Sequence, residues 1–92
     1  MIRSFRNRAL KRFWERADSK RLPPDDIDRI VRILRLLDDA TKAGDMNVPG
    51  LHFHALQGQM RRRYAVTVRA NWRITFAWDD EDAIDVDYED YH

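Results

Sequence analysis

The 92-residue chain contains no cysteine. That excludes a disulfide framework and any thiolate chemistry. Its longest apolar runs are far too short to span a bilayer. The arginine-rich N-terminus lacks the apolar core of a secretory signal. The expectation is therefore a soluble protein of the cytoplasm with no membrane partner. With three glycines there is no glycine-rich phosphate loop, and no Ser-His-Asp spacing suggests a nucleophilic triad. Repeats and low-complexity linkers are also missing. A single domain over residues 1–92 is expected. Its core should be small, because so short a chain buries a limited share of its surface.

Charge is not scarce, but it is segregated. Residues 1–22 hold eight Lys/Arg against two Asp/Glu, and residues 61–78 hold five arginines and no acid. Residues 79–92 hold eight acids and no Lys/Arg. A chain with a net charge of +1 can thus still present a basic surface to phosphates. Alternatively, the opposite segments neutralise one another across neighbouring strands.

The apolar pattern starts helical. Ser4 or Asn7 can cap a helix whose stripe is Ala9, Leu10, Phe13, Trp14 and Ala17. Its other face is Arg6, Arg8, Lys11, Arg12 and Arg16, either simply solvated or turned to RNA or protein. Leu22-Pro23-Pro24 ends this helix, and proline followed by Asp25, Asp26 and Asp28 starts another. Ile27, Ile30, Val31, Leu34, Leu37 and Thr41 form its stripe, with Gly44 as the stop. The two helices should form an antiparallel hairpin.

From Leu51 the period becomes two. His52, His54 and Leu56 fall on one side, and Leu51, Phe53 and Ala55 on the other. Three strands follow Gly58. Tyr64, Val66 and Val68, then Trp72, Ile74, Phe76 and Trp78, then Ile84, Val86 and Tyr88 mark the buried face. Opposed residues share a face, so Val68 should pair with Trp72 across a loop of Arg69-Ala70-Asn71, with Asn71 left-handed. Pairing Phe76 with Val86 sets Arg73 opposite Glu89. The expected fold is α+β: a helix hairpin on one face of an antiparallel sheet. The other face, with Thr67, Arg69, Arg73 and Thr75, is left for function.

The segment Tyr88-Glu89-Asp90-Tyr91-His92 continues the last strand's alternation, so it should be held rather than frayed. A fixed histidine beside a phenol and a carboxylate can move protons. A zinc site needs three or four ligands in suitable geometry; strand spacing puts the His52 and His54 rings on one side, with His92 the third histidine, yet there is no cysteine to add to them. Metal-free ribonuclease chemistry fits the residue types better. The RNA's own 2′-hydroxyl attacks; the protein takes that proton, gives one to the leaving 5′-oxygen and steadies the phosphate. His54, Arg73, Tyr91 and His92 supply such groups, arginine through its forked donors. Each also has a plain structural reading: His54 as a satisfied sheet histidine, Arg73 as a counter-ion to Glu89, Tyr91 as packing.

These residues resemble the HigB toxins of the RelE superfamily. The likeness runs from Met1-Ile2-Arg3-Ser4-Phe5 and Ala9-Leu10-Lys11 through Leu56 and Gly58 after His54. Its most specific parts are Val66-Thr67-Val68, Arg69-Ala70-Asn71-Trp72-Arg73-Ile74-Thr75-Phe76 and the closing Tyr88-Glu89-Asp90-Tyr91-His92. The resemblance implies a RelE-like, microbial-RNase-like fold and an mRNA interferase. Such a toxin enters the ribosomal A site and cuts bound mRNA without a metal or other cofactor. It implies a HigA-type helix-turn-helix antitoxin as partner, with DNA reached only through that complex. By similarity His54, Arg73, Asp90, Tyr91 and His92 are catalytic. Gln57, Arg61, Arg62, Arg63 and Arg69 are expected to bind substrate or ribosomal RNA. One departure stands out. Gln57 replaces the family's common lysine, so a hydrogen-bond donor remains but a charge is gone. A catalytically weak homologue acting through its antitoxin is the rival reading; a stand-alone RNA-binding domain lacks aromatic platform motifs.

Overall fold

The computed structural model describes residues 1–58 and 62–91; Gln59, Met60, Arg61 and His92 lie outside the described residues. Asn7 opens helix α1 (Arg8–Arg16), its side-chain oxygen accepting from the Leu10 amide at 2.9 Å. That bond satisfies one of the unpaired N–H groups of the first turn. Ser4 serves another element: its hydroxyl oxygen accepts from the Asp85 amide at 2.9 Å. The helix stops before the prolines. Ala17 turns left-handed at φ 55°, and its amide folds back to the Phe13 carbonyl at 2.9 Å. Ala17, expected in the apolar stripe, is therefore an exposed cap. Leu10 is fully buried, with Phe13 and Trp14 packed beside it.

Pro24–Asp26 form a 3₁₀ turn that runs directly into helix α2 (Ile27–Asp39). Ile30, Ile33, Leu34 and Leu37 are its buried stripe. The expected stop at Gly44 is not used. The chain leaves the helix at Ala40, and Gly44 sits inside a second 3₁₀ turn, Ala43–Met46. The Asp45 carboxylate explains the early exit. It accepts from the amides of Thr41 at 3.0 Å and Lys42 at 3.3 Å, so Thr41 leaves the helical stripe and is exposed.

Four antiparallel strands follow in the order β1 (His54–Ala55), β2 (Arg63–Arg69), β3 (Trp72–Asp79), β4 (Asp82–Asp90). β1 is shorter than its alternation suggests because His52 is left-handed at φ 52°. The free edge of β4 is covered by the N-terminal segment, which bridges it in parallel at Ile2 to Ala83 and Phe5 to Val86. Arg3 and Arg6 donate their amides to the Ala83 and Val86 carbonyls at 2.8 Å each. Such cover removes an edge that could pair with another chain.

Two irregularities change the expected register. Thr67 pairs with Arg73, but Arg69, not Val68, pairs with Trp72. The loop is thus the two-residue turn Ala70-Asn71, and Ala70 at φ 51° takes the left-handed place expected of Asn71. The extra residue in β2 is a bulge. Val68 stays in the core as expected, but Arg69 is carried off the open face, where it was expected. In β4, Thr75 pairs with Asp87 but Ala77 pairs with Ile84, and Asp85 is left-handed at φ 51°. This second bulge moves Ile84 to the open face and gives its core place to Ala83. Arg73 does stand opposite Glu89.

Both helices pack into one cluster with Val66, Val68, Ile74, Phe76 and Val86. The α+β architecture is therefore as expected, with the helices on one face of the sheet. Trp72 and Trp78 belong to this core rather than to an exposed stacking platform. Among the described residues, no helix is long and apolar enough to cross a membrane.

Candidate active site

Register alone arranges the open face in rows. Thr67, Arg73 and Glu89 form one; His54, Ala65, Thr75 and Asp87 the next; Arg63, Ala77 and Ile84 the third. His54 and Arg73 thus share a face, two strands and one row apart, which is roughly 12 Å between backbones at ordinary strand spacings. Tyr91 follows Glu89 by two residues, and its amide donates to the Asn71 carbonyl at 2.8 Å. The strand end is held, not frayed. Burial pushes the Tyr91 phenol pKa up, Glu89 and Asp87 add to this, and Arg63 and Arg73 oppose it. A phenol so placed stays protonated and can donate.

Arg73 and Glu89 stand directly opposed, yet no ion pair joins them. The Arg73 guanidinium donates to the Ala70 carbonyl at 2.6 Å and the Trp72 carbonyl at 3.3 Å. Glu89 instead accepts from the Thr75 hydroxyl at 2.6 Å, and Thr75 accepts from Arg63 at 2.9 Å. The counter-ion reading of Arg73 is not what these contacts describe. His54 is exposed, and its Nδ1 lies 2.9 Å from the His52 carbonyl. A carbonyl can only accept, so Nδ1 carries the proton and Nε2 of the neutral ring keeps a lone pair. The left-handed turn at His52 brings that carbonyl within reach.

The model for the HigB-like toxin family, described as the RelE-like toxin of the type II toxin–antitoxin system HigB, matches residues 3–92. The chain belongs to this family. It is 41% identical over 92 residues to Endoribonuclease HigB of Proteus vulgaris, covering all of both chains. It is 31% identical over 94 residues to Toxin HigB-1 of Vibrio cholerae serotype O1, covering all of this chain and 98% of the relative. As a type II toxin, it has an antitoxin for a partner.

The positions expected from sequence are distributed unevenly around this HigB-like face. His54 and Arg73 share it, and Tyr91 lies close enough to Arg73 to feel its charge. Asp90 ends β4 opposite Trp72 and is exposed. His92 and Arg61 lie outside the described residues. Gln57 and Arg62 are exposed near the β1 end of the sheet. Arg63 is 4% exposed, donating to Thr75 and to the Asp85 carbonyl at 2.9 Å each. Its guanidinium is built into the sheet's floor. Arg69 reaches the helical layer, with Nε 2.7 Å and Nη2 3.3 Å from the Asp26 carboxylate.

Asp26 was not singled out by sequence as a site group; Thr75 was expected on the open face without a role, and Glu89 only as the residue opposite Arg73. Asp26 reads there only as a helix-start acid, but it is 3% exposed. The Arg69 guanidinium holds its carboxyl below the usual range, against the opposing effect of burial. Tyr88 donates to the same carboxylate at 3.4 Å, and burial followed by the Asp26 charge pushes its phenol up to about 12. A depressed carboxyl pKa contributes stability that is fully present above the unfolded value, about 3.9, and is lost as pH falls through the folded value. In urea unfolding, the advantage of wild type over Asp26→Asn should be constant from pH 7 to about 5 and shrink below about 4. A gap that stays constant down to pH 3 contradicts this.

Proposed function

We propose that this toxin is a ribosome-dependent mRNA endoribonuclease that stops translation. It acts in the cytoplasm, in the ribosomal A site, and is countered by a HigA-type helix-turn-helix antitoxin through which alone it meets DNA. One observation carries the reading: Arg73 lies on the open face, with Tyr91 close enough to feel its charge, and makes no ion pair with the carboxylate opposite it. An arginine left to carbonyls can give forked donors to a phosphate.

In the reaction the 2′-oxygen attacks phosphorus, the bond to the 5′-oxygen breaks, and a cyclic phosphate remains. His54 Nε2 offers a lone pair for the 2′-hydroxyl proton, with His92 as the other basic group. Tyr91 and His92 are suited to return a proton to the 5′-oxygen. Arg73 stabilises the charge that builds on the phosphoryl oxygens. The similarity to a protein named Endoribonuclease HigB supports this reading. Cleavage in a purified translation system tests it: cuts should require ribosomes and vanish when His92 is removed. Folded, ribosome-bound wild type that leaves mRNA intact contradicts it.

A weaker toxin acting mainly through its antitoxin is favoured by Gln57 alone. An exposed amide there supplies no positive field to a phosphate. Gln57→Lys is accordingly expected to raise the cleavage rate; an unchanged rate discards that idea.

The basic face of α1 supports a ribosomal RNA contact. Arg8, Lys11, Arg12, Arg16 and Arg21, with Glu15, line a groove of about 390 Å³. Ribosome affinity should fall steeply with salt. Replacing Lys11 and Arg16 by glutamine should flatten the log–log slope by roughly 0.7–0.9 for each phosphate no longer neutralised. A slope indifferent to both changes rules this face out.

A further inference from the structure

The two-residue turn between β2 and β3 has two separate duties toward the candidate site. Its first carbonyl, that of Ala70, accepts from Arg73 Nη1 at 2.6 Å. Its second, that of Asn71, accepts from the Tyr91 amide at 2.8 Å. The guanidinium meant for the phosphate and the strand end bearing Asp90, Tyr91 and His92 therefore hang on consecutive peptide units. Any shift of the turn moves both.

The turn does not hold itself. Ala70 is left-handed at φ 51°, a conformation a residue with a Cβ adopts only when its surroundings impose it. The residues on either side supply the restraint. Before the turn, Arg69 grips Asp26 with two donors, at 2.7 and 3.3 Å. After it, Trp72 stacks on Tyr88 with ring centroids 4.7 Å apart. Tyr88 in turn donates to Asp26 at 3.4 Å. Both restraints converge on one carboxylate, which lies in the 3₁₀ turn before α2 and is 3% exposed. The helical layer thereby sets where the hairpin turn stands.

We propose that Asp26 is a positioning residue for the cleavage reaction, fixing through Arg69 the turn on which Arg73 and Tyr91 both hang. This rests on the ribonuclease reading above. Arg69 then acts from behind the site and touches no RNA. Asp26 never meets substrate; its effect reaches the phosphate through one ion pair and two carbonyls. Misplacing reacting groups by about 1 Å can cost about 10²-fold in rate. The loss should fall on the chemical step and leave binding to the ribosome intact.

The test compares wild type, Asp26→Asn and Ile33→Val in the ribosome assay and by amide hydrogen exchange. Asp26→Asn keeps the size of the side chain and removes its charge. Ile33→Val loosens the core without touching the turn. Asp26→Asn is expected to slow single-turnover cleavage by roughly 10- to 100-fold at unchanged ribosome affinity. The Tyr91 amide should exchange faster in Asp26→Asn than in Ile33→Val. Cleavage by Asp26→Asn within threefold of wild type overturns the proposal. So does a loss matched by Ile33→Val, or one accounted for by weaker ribosome binding. If Asp26→Asn does not fold, Arg69→Gln, at a side chain 58% exposed, carries the same expectation. A folded wild type that does not cut fails the ribonuclease reading instead. Exchange then decides alone: an unchanged Tyr91 amide overturns the proposal, and a faster one keeps Asp26 as anchor of that strand end.

Discussion

Replacing Arg73 by alanine is expected to lower mRNA cleavage by roughly 10²–10³-fold, the usual loss when one preorganised charge stabiliser is removed. The argument starts from what Arg73 does not do. It lies opposite Glu89 across the β3–β4 ladder, where an ion pair would be natural. Glu89 is engaged by Thr75 at 2.6 Å instead, and Arg73 leans on two backbone carbonyls. Those carbonyl bonds orient the fork without neutralising it. Folding should barely notice the change, because a typical hydrogen bond contributes only about 0.5–1.5 kcal/mol net. Arg73→Lys should recover part of the rate, since it restores charge but not the paired planar donors. Single-turnover cleavage of mRNA on programmed ribosomes measures both. An alanine variant cutting within threefold of wild type would remove Arg73 from the site.

The largest expected effect on stability belongs to Phe76→Ala. Phe76 is fully buried at the centre of β3. Its ring packs at 5.8 Å from Tyr64 and meets Trp78 edge-on at 6.2 Å. Truncating a buried phenylalanine costs about 3–5 kcal/mol, made of forfeited transfer energy and the cavity left behind. Domains of this size hold only about 5–15 kcal/mol in total. At roughly 4–8 °C per kcal/mol, the melting temperature should fall by at least about 10 °C. A thermal scan showing a drop of less than about 3 °C would mean that the core relaxes around the gap. The open face is built from the same strand, so cleavage should fail at a temperature where wild type still cuts.

Periodicity was a good guide wherever one face of an element is buried without interruption. Leu10, Ile30, Leu34 and Leu37, and the alternation through Val66, Ile74, Phe76 and Val86, are core residues as their spacing implies. It failed where one residue is inserted. A bulge reverses faces beyond it, and no side-chain pattern announced the ones at Val68 and Asp85. Arg69 and Ile84 consequently exchanged sides. Helix ends were misread for a related reason. Ala17 and Ala40 end their helices through bonds made by neighbouring groups, whereas proline and glycine attract attention as breakers. The pairing of Arg73 with Glu89 was legible because the register from Phe76 to Val86 fixes it. Asp26 was not, since its burial arises only when Arg69 arrives from 43 positions along the chain.

The N-terminal segment along β4 has a consequence for synthesis. β4 lies between β3 and residues translated before every strand of the sheet, and it needs both neighbours to be paired on each side. Until β4 has cleared the exit tunnel, Ile2 and Phe5 have no ladder to join and the sheet has a bare edge. Contacts so distant in sequence form late. Tyr91 docks as β4 joins β3, through the Asn71 carbonyl. A nascent copy therefore cannot assemble the open face while most of it is still being made.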